Sequence, residues 1–83
     1  MTYFVYLIGS YNKSKLITYV GYTNNLKKRL DQHNYGKGAK FTRGRTWKIL
    51  YSEKFLRKNE AISRECYIKK NRKFRNSIKV KYK

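Results

Sequence analysis

Two stretches decide the fold: Tyr3-Phe4-Val5-Tyr6-Leu7-Ile8 and Leu16-Ile17-Thr18-Tyr19-Val20-Gly21-Tyr22. Both are rich in β-branched and aromatic residues, which suit a pleated, half-buried surface. Residues 9–15 between them are polar, with Gly, Ser and Asn, and read as a turn. So short a connection predicts an antiparallel pair. Working outward, Thr23 or Asn24 can cap a helix that runs to about Asn34 and stops at Tyr35-Gly36. Residues 37–45 are basic and punctuated by glycine, with a short helical turn around Ala39-Lys40-Phe41. Residues 47–55 read as a third strand, in which Ile49, Tyr51 and Glu53 alternate with Leu50 and Ser52. Asn59 caps a second helix, with Glu60 in its first turn to favour the dipole. The order β-β-α-(α)-β-α predicts an α+β fold, a small three-stranded antiparallel or mixed sheet flanked by helices.

Residues 1–71 form the expected domain, and residues 72–83 a basic tail packed on it or extending from it. Phe74, Ile78, Val80 and Tyr82 are spaced through that tail, which reads as a short helix, a strand, or an arm ordered on nucleic acid. A chain of 83 residues allows one small core. Its 40% apolar and 17% aromatic content argues against disorder, despite 31% charged residues. The apolar run at residues 3–8 is far shorter than the roughly 20 residues needed to span a bilayer. No Lys or Arg precedes it and no cleavage pattern follows, so no signal peptide is expected. The single cysteine, Cys66, cannot form an internal disulfide and fits a reducing cytoplasm. At the edge of an apolar stripe, it reads as a small packing residue.

Lys and Arg number 22 against four Asp and Glu, a net charge of +18. Charge at this density calls for an anionic partner, nucleic acid before a membrane surface. A membrane-surface helix would carry a broad apolar face with Trp, Phe or Leu, and Trp47 lies outside both helical patterns. A ribosome- or RNA-associated basic protein is the bland alternative. Self-repulsion disfavours a tight dimer through a basic face, so a monomer is expected.

Against this background Glu65 is an anomaly. Ala61, Ile62 and Ile68 recur at helical spacing, and Glu65 falls inside their stripe. An inward carboxylate needs a partner, because an unpaired buried charge is costly. The partner is an Arg or Lys, or a divalent metal. The first helix repeats the anomaly. Leu26 and Leu30 define its stripe, with Arg29 and His33 one turn apart on or beside it. Taken singly, His33 reads as a satisfied inward histidine and Arg29 as a partner for Glu65.

Together these residues resemble the GIY-YIG nuclease superfamily. Phe4-Val5-Tyr6 stands in place of its first tripeptide and Tyr19-Val20-Gly21 in place of its second. Arg29 and His33 resemble its Arg-x-x-x-His, and Glu65 its metal-binding Glu. The run from His33 through Gly36, Gly38, Ala39, Lys40, Thr42 and Arg43 is similar to the small stand-alone bacterial branch. Glu60-Ala61, Arg64-Glu65 and Ile68-Lys69-Lys70 follow at matching distances. Phe4 replaces the usual glycine. A late active-site Asn would be Asn71 or Asn76.

The resemblance implies a metal-dependent endonuclease that hydrolyses DNA phosphodiester bonds, with RNA as a second polymer and structure or strandedness, including single-stranded DNA, as the basis of choice. It implies one Mg²⁺ or Mn²⁺ ion on Glu65. Arg29 would clamp phosphate. Tyr6 would orient or deprotonate the attacking water, its pKa lowered by nearby cations, with His33 taking or tuning its proton. Tyr19 would place the phosphate or the water. Lys37, Lys40, Arg43 and Arg45 follow His33 directly and are expected to grip the backbone, with Lys69 and Lys70. Phe41 or Trp47 would stack on an unpaired base or belong to the core. The alternative is a catalytically silent nucleic-acid-binding module on the same fold.

Overall fold

A computed structural model describes residues 1–82. Strands β1 (Tyr3–Asn12) and β2 (Lys15–Thr23) form a hairpin, and β3 (Lys48–Phe55) pairs with the other edge of β1. Both pairings are antiparallel, and the sheet order is β2-β1-β3. The hairpin is longer than the apolar pattern indicates. Asn12 pairs with Lys15, so the turn is only Lys13 and Ser14, with Lys13 at φ 58. Ladder hydrogen bonds need no apolar side chains, so pairing continues through Gly9, Ser10 and Tyr11.

Central strand β1 is covered on both faces, which is why Val5, Tyr6, Leu7 and Ile8 are all buried in succession. On one face Val5, Leu7, Val20 and Leu50 pack with Ala61 and Ile68 of α2 (Lys58–Lys70) and Ile78 of α3 (Arg72–Lys79). On the other, Tyr6, Ile8 and Trp47 pack with Leu26 and Leu30 of α1 (Leu26–Asn34). The alternation expected in β3 breaks at a bulge. Leu7 pairs with Tyr51 and Ile8 with Ile49, so Leu50 is an extra residue. Ile49 therefore joins the α1 face, while Leu50 and Tyr51 join the other.

The helix starts also differ from the expectation. Asn25, not Thr23 or Asn24, caps α1, its side chain accepting from Lys28 N at 3.1 Å. Helix α2 begins one residue before Asn59, with Arg57 as a cap that makes no side-chain bond. Its buried line is narrow: Ala61 and Ile68 are buried, while Ile62 and Cys66 are exposed. Cys66 is thus not a packing residue, since the sheet covers only one line of the helix. The tail is helical over its described residues, 72–82, and Lys83 lies outside them. Asn71 caps α3 by accepting from Phe74 N at 3.0 Å, and Tyr82 Oη donates to Leu50 O at 2.8 Å.

An acid-sensitive clamp ties β3 to α2. Arg64 Nε and Nη2 donate to the two Glu53 oxygens at 2.8 and 2.9 Å, and the Tyr51 hydroxyl donates to Glu53 as well. The Arg64 bond holds the Glu53 carboxyl below its usual range, against the rise that burial causes. A depressed carboxylate stabilises the fold above its unfolded pKa, and that contribution disappears as pH falls through the folded value. A charge-assisted pair of this kind contributes about 1–3 kcal/mol. Thermal unfolding of the wild type is therefore expected to weaken faster on acidification than that of Glu53→Gln. Parallel curves between about pH 5 and pH 3 would reject the clamp.

Candidate active site

The α1 face of the sheet brings four polar side chains together. Tyr6 projects from β1, and its Oη lies 2.9 Å from His33 Nε2. Arg29, one turn before His33, donates from Nε to the same Tyr6 oxygen at 3.4 Å and from Nη1 to Gln32 Oε1 at 3.0 Å. Tyr19, on the adjoining strand, sets its ring edge-on to His33 at 5.3 Å between centroids. The register makes this possible: Tyr6 stands opposite Gly21 and Ile8 opposite Tyr19, so both tyrosines share one face.

Two glycines make room. A Cβ at Gly21 would fall 2.3 Å from Tyr6 Oη, and one at Gly38 would fall 2.3 Å from His33 Nδ1. Neither neighbour can give way, because Tyr6 is 2% exposed and His33 is 0% exposed. The loop after α1 closes over His33 from behind. Thr42 Oγ1 lies 2.9 Å from His33 Nδ1, within a one-turn 3₁₀ segment, Lys40–Thr42.

Burial sets the electrostatics. It pushes the His33 imidazolium down, and the Arg29 charge acts in the same direction, so the ring is neutral at pH 7. Tyr6 is pushed up by burial, which outweighs the lowering bond and charge of Arg29; Tyr19 and Glu65 add to the rise. The cation-lowered tyrosine expected from the sequence is not what the protein alone produces. Desolvation of the phenolate is the larger effect.

Glu65 stands apart from the four. It lies on α2, against the other face of the sheet, with its side chain 16% exposed and paired to Lys69 at 3.3 Å. It makes no bond to Arg29, whose donors go to Tyr6 and Gln32. Its charge nonetheless acts on Tyr6. Among the described residues no group of three or more His, Cys, Asp or Glu comes together. A single carboxylate does not fit a closed all-protein metal cage. It does fit Mg²⁺ or Mn²⁺ completed by waters and a substrate phosphate.

A family model described as the GIY-YIG catalytic domain matches residues 2–79. The chain belongs to the GIY-YIG nuclease family. It is similar to a UPF0213 protein of Oceanobacillus iheyensis, 45% identical over 73 residues, covering 87% of this chain and 81% of that one. A UPF0213 protein of Clostridium perfringens is 52% identical over 68 residues, covering 81% and 70%. The solution NMR structure of a UPF0213 protein from Bacillus halodurans aligns at a TM-score of 0.54 and 32% identity, over all of this chain and 86% of that one.

Phe4-Val5-Tyr6 and Tyr19-Val20-Gly21, the stretches that resemble the family's two tripeptides, lie on paired strands with Tyr6 opposite Gly21. The basic residues singled out in the sequence fall into two sets. Lys37, Lys40 and Arg43 are exposed and Arg45 half-buried on the loop that carries Thr42; Lys69 and Lys70 are exposed in the last turn of α2. Phe41 is 52% exposed, stacks on Tyr19 at 6.1 Å and carries the Arg45 guanidinium at 5.5 Å. Trp47 is core, its Nε1 donating to Thr42 O at 2.9 Å. The Asn71 amide is spent at the α2–α3 junction, accepting from Phe74 N and donating to Tyr67 Oη at 2.9 Å, while Asn76 is exposed on α3.

Residue patterns alone missed Thr42, Gln32 and one more basic set. A groove of about 490 Å³ opens beside Arg29 and is lined also by Lys28, Lys58, Asn24 and Asn25, with no carboxylate. Lys58 lies twenty-nine positions from Arg29, so no local spacing signals the pair.

Proposed function

We propose that this domain is an endonuclease hydrolysing DNA phosphodiester bonds with one Mg²⁺ or Mn²⁺ ion on Glu65, choosing its substrate by structure or strandedness. The observation that carries the reading is the Tyr6 hydroxyl held 2.9 Å from His33 Nε2 and touched by Arg29. Bound at Glu65, the ion would polarise the scissile phosphate and ease departure of the leaving oxygen.

Because Tyr6 rests protonated, it works as a relay rather than as a standing phenolate. As a water oxygen bonds to phosphorus, its proton passes to Tyr6 Oη and the Tyr6 proton to His33 Nε2. The bond from phosphorus to the leaving oxygen breaks, and that oxygen takes a proton from solvent. His33 then returns its proton to solvent. Arg29, unpaired with any carboxylate among the described residues, is free to hold phosphate oxygens. The groove with Lys28 and Lys58 would receive the backbone on one side, and Lys37, Lys40, Arg43, Arg45, Lys69 and Lys70 on the other.

The Lys69–Glu65 pair favours a second reading, a silent nucleic-acid-binding module. Lys69 is half-exposed, however, and exposed ion pairs contribute little, so a divalent ion can displace it. The domain would act as a monomer in the cytoplasm, where Cys66 stays a thiol. No helix among the described residues is long and apolar enough to cross a membrane.

The test is cleavage of end-labelled single-stranded, duplex and branched DNA, and of RNA, with Mg²⁺, Mn²⁺ or chelator. Metal-dependent cuts are expected; tight binding without cuts would move the protein to the silent reading. Affinity should separate from chemistry. Replacing both Lys40 and Arg43 by Ala is expected to weaken binding and reduce the salt slope by roughly 1.4 to 1.8. An unchanged slope would reject their phosphate contacts.

A further inference from the structure

Thr42 Oγ1 donates its one proton to Ala39 O at 2.8 Å, a carbonyl that also accepts from Thr42 N at 3.1 Å. Towards His33 it therefore presents a lone pair, and the 2.9 Å contact requires Nδ1 to carry the hydrogen. The other side of the ring accommodates that tautomer. Tyr6 Oη has two polar neighbours, His33 Nε2 and Arg29 Nε. Arginine only donates, so a bare His33 Nε2 offers the Tyr6 proton its acceptor among the described residues. A free neutral histidine favours the opposite tautomer, with hydrogen on Nε2.

We infer that Thr42 is a positioning residue that fixes His33 in its Nδ1–H tautomer and so aims a lone pair at the Tyr6 hydroxyl. The Ala39 carbonyl orients Thr42, and Gly38 leaves room for the ring edge. The arrangement forms a directed chain: Tyr6 O–H to His33 Nε2, His33 Nδ1–H to Thr42 Oγ1, Thr42 Oγ1–H to Ala39 O. Its catalytic use rests on the nuclease reading above; the tautomer itself does not.

His33 is the protein's only histidine, so its ring nitrogens can be read without overlap in a long-range ¹H–¹⁵N spectrum. The wild type at neutral pH is expected to show a protonated Nδ1 and a bare Nε2. Thr42→Ser, which keeps the hydroxyl, should look the same. Thr42→Val, which keeps the shape without the hydroxyl, should move the ring towards Nε2–H. Cleavage should fall roughly tenfold to a hundredfold in Thr42→Val and recover in Thr42→Ser, the usual cost of losing a group that orients a functional histidine. An Nε2–H wild type, or an Nδ1–H ring retained in Thr42→Val, would overturn the inference. A wild type that never cleaves, yet whose tautomer answers to Thr42, would sink the nuclease reading and leave the inference standing.

Discussion

Glu65→Gln is expected to lower metal-dependent DNA cleavage by roughly 10²–10³-fold while changing DNA affinity little. The variant keeps the size and polarity of the side chain and removes only its charge. Among the described residues Glu65 is the carboxylate whose charge acts on the Tyr6 hydroxyl, and no cluster of three His, Cys, Asp or Glu stands ready to replace it. On the proposed reading affinity would rest instead on the 22 Lys and Arg side chains, and removing one negative charge from a chain of +18 does not weaken attraction to a polyanion. The Lys69 ammonium also loses its partner and adds to the positive surface. Single-turnover cleavage beside gel-shift binding, at one salt concentration, separates the two effects. Equal cleavage by variant and wild type would remove Glu65 from the chemistry and with it the metal assignment.

Tyr6→Phe should reduce the same rate by about 10²–10⁴-fold, the range typical for removal of a positioned proton-transfer group. The ring still fills its place between Ile8 and Trp47, but His33 Nε2 and Arg29 Nε both lose their hydroxyl partner. Leaving such a group unsatisfied costs about 1–3 kcal/mol, which thermal unfolding would register separately from the rate. The pH profile supplies a second check. His33 must be neutral to accept the Tyr6 proton, and burial with Arg29 holds it below its ordinary 6.5. The acid limb of the wild-type profile should therefore lie below pH 6.5. A wild-type rate in Tyr6→Phe would rule out this relay and turn attention to Tyr19, the other tyrosine on the ring of His33.

Much of the architecture was legible because it depends on local patterns. The β-branched runs at residues 3–8 and 16–22 mark the hairpin, and the Leu26–Leu30 spacing marks the inner line of α1. Helix caps were less legible, since Thr23, Asn24 and Asn25 all suit the position and only backbone geometry selects Asn25. The α2 stripe was partly misleading. Ile62 and Cys66 lie beside the true contact line, and a helix resting on a sheet buries only that line.

The sequence by itself determined the strand pair, the first two helices and the positive field, because residue type and spacing carry those properties, and its resemblance to the GIY-YIG superfamily singled out Tyr6, Tyr19, Arg29, His33 and Glu65 as candidates. Only the tertiary structure decided how they are placed. It put Tyr6, Tyr19, Arg29 and His33 on one face of the sheet and Glu65 on a helix against the other. With the protein's own groups alone it raises the Tyr6 pKa, because desolvation depends on depth and not on composition. It also brought Thr42 to the back of His33, a contact made by a loop closing in space, which no spacing along the chain encodes.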